Sequence, residues 1–432
     1  MISKLAIVLV MTSGAVPVLR AAVIGTNVPS QPLTTRRIAM LPASQRSEWT
    51  KYLERSQQRL RQDKDSFLDE MKAHGVAQAT NAPRSRGFRG IPLNRPQEWY
   101  GSAEARRIAD NVISYQTPSG GWGKQVDMTS RPRVPGETFT SDNTSRFAAA
   151  GDFDVPSGEA KWNYVGTFDN NATITQLRYL AKVAAAAPTD EGSEYRRAFL
   201  HGLDYIFASQ YPNGGWPQIW PLEGGYHDAI TYNDGSMVNA LQLLDDAAKG
   251  GNEFAFVPKK MRKRAAASLK RGVECILETQ IVVDGQRTVW CQQHDMLTLK
   301  PTSARNYEMP SKSAIESAGI TMFLMKLPEP DAKTVAAIKA AAAWFKKTEL
   351  RDVAFRNSGS EGRLLVSAPG DGPIWARYYD IATDRPIFGD RDKSIHDTVA
   401  EISPERRRGY SWFGDSPKEA LSQFERWSKR PL

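Results

Sequence analysis

Residues 197–216 read RAFLHGLDYIFASQYPNGGW, and two other stretches repeat the same plan. Residues 106–122 read RRIADNVISYQTPSGGW, and residues 264–290 read RAAASLKRGVECILETQIVVDGQRTVW. In each, apolar residues recur at helical spacing and run out near a glutamine: Gln116, Gln210 or Gln280. A turn and a tryptophan follow: Trp122, Trp216 or Trp290. Further on, a second helix begins at a polar cluster. These clusters are Phe168-Asp169-Asn170-Asn171, Tyr232-Asn233-Asp234 and Tyr307-Glu308. Such a repeat marks stacked helical units that bury their apolar faces against one another.

The second helices have readable ends. Residues 172–187 stop before Pro188, residues 236–249 stop at Gly250-Gly251, and residues 311–327 begin after Pro310. Residues 331–350 resemble a fourth first helix. About three hairpins point to a mainly α chain, an (α/α)3 barrel or toroid of repeated helical hairpins. Minor short β segments, such as Leu364-Leu365-Val366, are expected late in the chain.

Outward from the repeats, residues 1–22 combine Lys4, an apolar run from Leu5 to Leu19 and small residues at Ala21-Ala22. That is the pattern of a secretory signal peptide, too short to span a bilayer. Residues 23–97 form an N-terminal extension, extended and then helical, of open role. Residues 98–432 are expected to be the catalytic domain. No later stretch is apolar enough to cross a membrane. The protein is expected to be secreted, to the periplasm or beyond, and monomeric, with neither membrane nor nucleic acid as partner.

The 432 residues carry a net charge of +9, a balance that suits an anionic partner such as an acidic polysaccharide. The two cysteines, Cys275 and Cys291, flank the turn between Gln280 and Trp290. They permit one disulfide across that hairpin, or two buried thiols. His294 is the histidine that lies within a motif, and a structural hydrogen bond is one of the roles open to it. The chain has no HExxH, GxSxG or P-loop pattern.

The polar clusters have two readings. Asp169, Asn170 and Asp234 offer the hard oxygen ligands that calcium favours. The same residue types also cap helices. The repeated tryptophans fit either stacking on sugar rings or packing between units. Arg305, Arg377 and Arg391 belong to a set of arginines suited to two-pronged carboxylate recognition.

Several motifs together resemble the family 10 polysaccharide lyases, which are pectate lyases. They are GGWGK (120–124), FDNNAT (168–173), YPNGGWPQ (211–218), TYNDGSMVN (231–239), WCQQHD (290–295), ARNYEMPS (304–311) and the block from RYYD to FGDRD (377–392). The resemblance implies calcium-assisted β-elimination of polygalacturonate to give 4,5-unsaturated galacturonides. It implies Arg305 as the catalytic base and Asp169 and Asp234 as metal ligands. Asn170, Lys124, Arg377 and Arg391 are implied for substrate binding. Two other classes fit the residues alone. One is a secreted glycoside hydrolase using carboxylates such as Asp169, Asp234 and Glu308. The other is an acidic-polysaccharide-binding protein without turnover.

Overall fold

Helix α1 (Thr35–Ala39) begins at Thr34, whose side chain accepts from the Arg37 amide, and leads into the long α2 (Ala43–Ala73). Both belong to a computed structural model that describes residues 23–85, 90–145, 151–155, 159–187 and 192–430. The expected signal peptide, residues 1–22, lies outside the described residues. Helix α2 buries Trp49, Tyr52, Leu53 and Phe67 along one face. The Tyr52 hydroxyl donates to the Ser209 carbonyl at 2.8 Å, and the Ser56 hydroxyl accepts from the Leu222 amide at 2.8 Å. Leu33, Ile38, Trp49, Tyr52 and Leu53 share one apolar core with Trp122 and Trp216. The N-terminal extension is thus packed into the body of the molecule.

The body begins with α3 (Ala103–Ser114), capped by Ser102, and α4 (Ile174–Ala186). Next come α5 (Ser193–Ser209), α6 (Ser236–Lys249), α7 (Lys259–Thr279) and α8 (Ala314–Leu324). Helix α9 (Ala332–Thr348), the short α10 (Pro404–Gly409) and α11 (Ser416–Trp427) complete the set. Helices α4, α6, α8 and α11 form one row. Helices α3, α5, α7 and α9 lie outside it, with α4 packed on α5, α6 on α7 and α8 on α9.

Two side-chain devices stitch this array. The indole N–H of Trp122 donates to the Val112 carbonyl at 2.7 Å, and Trp216, Trp290 and Trp375 do the same to Ile206, Ile276 and Phe345. The Gln116 amide spans its own turn and the next outer helix, donating to the Gly120 and Ala198 carbonyls, both at 2.9 Å. Gln210 and Gln280 repeat that span toward Ser268 and Ala337. All four tryptophans are buried, so they bind units together and face no sugar.

The (α/α)3 barrel expected from the sequence is not what these helices build. Among the described residues the tryptophan bond occurs four times, marking four units. The inner row does not close on itself: α8 packs against α6, α9 and α11, and does not lie beside α4. The fourth unit completes its pair with α11, after the strand-bearing region from Val353 to Gly414. Of the two readings of the cysteines, the second holds: Cys275 and Cys291 are separate buried thiols. Cys291 Sγ lies instead 3.7 Å from the Thr302 carbonyl.

Among the described residues, six small sheets join the loops. The pair Ile230–Thr231 and Gln293–His294 anchors the loop carrying Asp234. The pair Lys312–Ser313 and Tyr378–Tyr379 holds Arg377 beside the start of α8. Val23–Thr26 pairs with Ser394–His396, which pairs with Phe388–Gly389. Among the described residues, no helix is long and apolar enough to cross a membrane.

Candidate active site

The turns before α4 and α6 share one backbone solution. Asn170 and Asp234 both lie at φ +52°, in the left-handed region that Asn and Asp tolerate best after glycine. The two turns pack together, and Asn239 Nδ2 donates to Asn171 Oδ1 at 2.5 Å. The helices that follow start at Thr173 and Gly235, neither with a side-chain cap. The capping reading of Asp169 and Asp234 therefore fails. Both side chains turn instead into a polar cavity of about 310 Å³, which Lys124, Asn170, Arg305, Glu308, Arg377 and Tyr410 also line.

Asp169 is buried and ion-paired with Lys124, whose ammonium also sits 4.2 Å from the Tyr164 ring centre. Burial pulls the Lys124 pKa down, but the Asp169 charge outweighs it and the net shift is upward. Asp234 keeps an exposed face at the cleft mouth, with protein packed around the rest of its carboxylate. Burial and then the charge of Asp169 push its pKa up to about 6. Asn170 Nδ2 donates to Asp169 at 3.2 Å and Asn233 Nδ2 to Asp234 at 3.3 Å.

Across the cavity, Arg305 and Glu308 form a two-pronged pair. The Arg305 backbone amide donates to the same carboxylate at 3.0 Å, and the Tyr410 hydroxyl at 2.6 Å. Burial alone would raise Glu308, but Arg305 and these hydrogen bonds hold its pKa down at about 2. For Arg305, burial works against the charge. Glu308 overcomes that and raises the guanidinium pKa further.

Arg377 pairs with Glu316 and donates to Asn233 Oδ1 at 2.9 Å. Its Nε–H is buried without a partner, an orphan donor at the edge of the cavity. Arg391, expected among the substrate contacts, does not line the cavity. It pairs with Glu405, and its carbonyl accepts from Asn306 Nδ2 at 2.6 Å, so it braces the Arg305 loop from behind. His294 is structural. Its Nε2 accepts from the Cys291 amide at 3.1 Å while Nδ1 bonds the Leu299 carbonyl at 2.9 Å.

The donor set fits calcium. Two carboxylates and the amide oxygen of Asn170 are hard ligands, and a cation would relieve the repulsion that raises Asp234. Among the described residues, no group of three or more Asp, Glu, His or Cys side chains forms a metal cage. A calcium ion here would draw the rest of its shell from a ligand carboxylate and water. Sequence reasoning missed Tyr164, Tyr226 and Tyr410. They arrive from separate loops and carry no motif, although Tyr226 follows a Gly-Gly turn and Tyr410 an arginine run.

The family model for pectic acid lyase matches residues 116–421. No protein with a curated description matches the chain. A family 10 polysaccharide lyase from Cellvibrio cellulosa is 32% identical with a TM-score of 0.64, covering 80% of this chain and 99% of its own. An aspartate-to-alanine mutant of a family 10 lyase from the same organism, in complex with trigalacturonic acid, is also 32% identical. Its TM-score is 0.63, with 79% of this chain and 99% of the other covered. The chain therefore belongs to the pectic acid lyases, family 10 of the polysaccharide lyases.

Proposed function

We propose that this pectate lyase is an exported monomer that cleaves demethylated polygalacturonate by calcium-assisted β-elimination in the cleft between Asp169, Asp234 and Arg305. The observation that supports this reading best is the meeting of a carboxylate pair with Lys124, Arg305 and Arg377 in one cavity. Residues 1–22 would direct export, and sequencing the mature N-terminus checks that.

The reaction removes the proton at C5 of a galacturonate unit, forms the C4–C5 double bond and breaks the bond from C4 to the glycosidic oxygen, which leaves with a proton taken from water. The charge left at C5 spreads into the adjacent carboxylate. Asp169, Asp234 and Asn170 would hold calcium, which would supply Lewis-acid stabilisation of that carboxylate. Arg377 reads the carboxylate through its unpartnered Nε–H. Lys124 pairs with Asp169 and holds its carboxylate in place. Arg391 works through the Asn306 and Tyr307 loop and touches no sugar in this assignment.

Arg305 is assigned proton abstraction. Burial and repulsion from Lys124 favour its neutral form, and Glu308 opposes them. In the substrate-free state Glu308 wins, so activity should climb with alkalinity. A hydrolase would need a protonated carboxyl as general acid. Glu308 is held at about 2, and Asp169 is tied to Lys124, which disfavours both for that part.

Polygalacturonate turnover with and without exhaustive chelation tests the proposal. Ultraviolet-absorbing unsaturated products that vanish on chelation and return with calcium are expected. Saturated products alone would contradict elimination, and undiminished activity after chelation would contradict the metal role.

A further inference from the structure

Residues 83–85 run beside the cleft. The Ser85 amide donates to the Gln125 carbonyl at 2.9 Å, and the Asp127 amide to the Pro83 carbonyl at 2.8 Å. Arg84 and Val126 form an antiparallel bridge between these two bonds. Gln125 itself is held at φ +55°. This ladder fixes where the Arg84 side chain leaves the backbone.

The side chain lines a second cavity of about 440 Å³, together with Lys124, Asn143, Asp154, Tyr164 and Arg305. Lys124, Tyr164 and Arg305 also line the central cavity, so the two spaces adjoin across these side chains. The cations of the central cavity are committed to internal carboxylates: Lys124 to Asp169, Arg305 to Glu308 and Arg377 to Glu316. Arg84 differs. Its Nη2 donates to the neutral Gln125 Oε1 at 2.8 Å, and its Nη1 points at the Asp142 carbonyl at 3.4 Å. A guanidinium has five N–H donors, so this leaves most of the fork unused. Arg84 makes no ion pair among the described residues, and its side chain is exposed. The carboxylate of that lining, Asp154, accepts from the Tyr226 hydroxyl at 2.8 Å, and burial raises its pKa.

We infer that Arg84 forms an outer subsite of the cleft, binding the carboxylate of a galacturonate unit beyond the one that reacts. The inference rests on the polygalacturonate reading above and extends it to the N-terminal extension. Arg84 lies upstream of the residues matched by the family model, so family membership does not assign it. An uncompensated guanidinium on a fixed ladder, opening onto the substrate cleft, is the arrangement that two-pronged carboxylate recognition uses.

The test is Arg84→Gln in the full chain, with Arg84→Lys alongside. KM and kcat are measured on galacturonate oligomers of increasing length and on polygalacturonate. The ratio of variant to wild-type KM should grow with oligomer length and reach roughly tenfold on the polymer, as loss of one charge-assisted contact would give. The loss should fall on KM rather than kcat, and the lysine variant should lie between. The salt dependence of polymer binding should also weaken for Arg84→Gln. A KM ratio near one at every length would overturn the inference while leaving the lyase reading intact. Absence of unsaturated product from the wild type would overturn both.

Discussion

Glu308 grips Arg305 with both carboxylate oxygens, at 2.9 Å to Nε and 2.6 Å to Nη2. The pair orients the guanidinium toward the cavity and also keeps it charged. Orientation helps a base and charge hinders it, so the pair ties the position of Arg305 to its protonation. Glu308→Gln keeps the shape and removes the anion. With that anion gone, the alkaline rise in kcat should move to lower pH. A pH–rate profile of the variant checks this, and a rise at the wild-type position would mean that Glu308 does not tune Arg305. Removing one partner of a buried ion pair costs about 3–5 kcal/mol. The Tm of the variant should therefore be measured alongside.

Of the carboxylates Asp169, Asp234 and Glu308 that line the central cavity, Asp234 makes no ion pair among the described residues, whereas the other two do. Its pKa is raised to about 6 by burial and by Asp169, and the Arg377 charge offsets this only in part. It caps no helix, so Asp234→Asn should fold with a Tm close to native. Calorimetric calcium binding in the presence of trigalacturonate should weaken by at least an order of magnitude, as loss of a charged ligand implies. Native calcium affinity in this variant would remove Asp234 from the metal site.

Asp63 predicts a pH dependence that is independent of catalysis. It is buried on α2, accepts from the Ser119 hydroxyl at 2.8 Å, and burial pushes its pKa up to about 7. In the unfolded chain an aspartate titrates near 3.9. Between those values the folded state keeps a proton that the unfolded state has lost. Stability must therefore fall as pH rises from about 4 to about 7 and then level off. The ceiling is about 4 kcal/mol for a shift of about three units. Asp63→Asn should flatten this fall and raise Tm at pH 8 relative to wild type. Parallel melting curves across that range check it, and identical pH slopes would show that Asp63 is not the group responsible.

Much of the local structure was legible in the chain. The run at 236–249 is the helix Ser236–Lys249, and the run at 172–187 is Ile174–Ala186. Amphipathic spacing and the flanking Pro and Gly set those ends. The architecture was not legible, because helix periodicity says nothing about ring closure. The run at 331–350 was readable as a fourth first helix, but its partner α11 lies beyond the strand-bearing region, which hid the second half of the fourth unit. The role of Trp122, Trp216 and Trp290 was open in the sequence, since packing and sugar stacking need the same residue. Burial and the bond to the preceding helix decide for packing. Arg377 and Arg391 look alike as residues. They separate only in three dimensions, one opening onto the cavity and the other bracing Asn306 behind it.

The most direct test of Arg305 as the group that removes the C5 proton is Arg305→Ala, with kcat on polygalacturonate followed by the ultraviolet absorbance of the unsaturated product. Binding of trigalacturonate is measured on the same protein. A general base contributes about 10²–10⁴ in rate, so kcat should fall by about a thousandfold while the Kd changes only several-fold. A kcat within about tenfold of wild type, with the loss confined to Kd, would contradict the assignment and leave Arg305 a binding group.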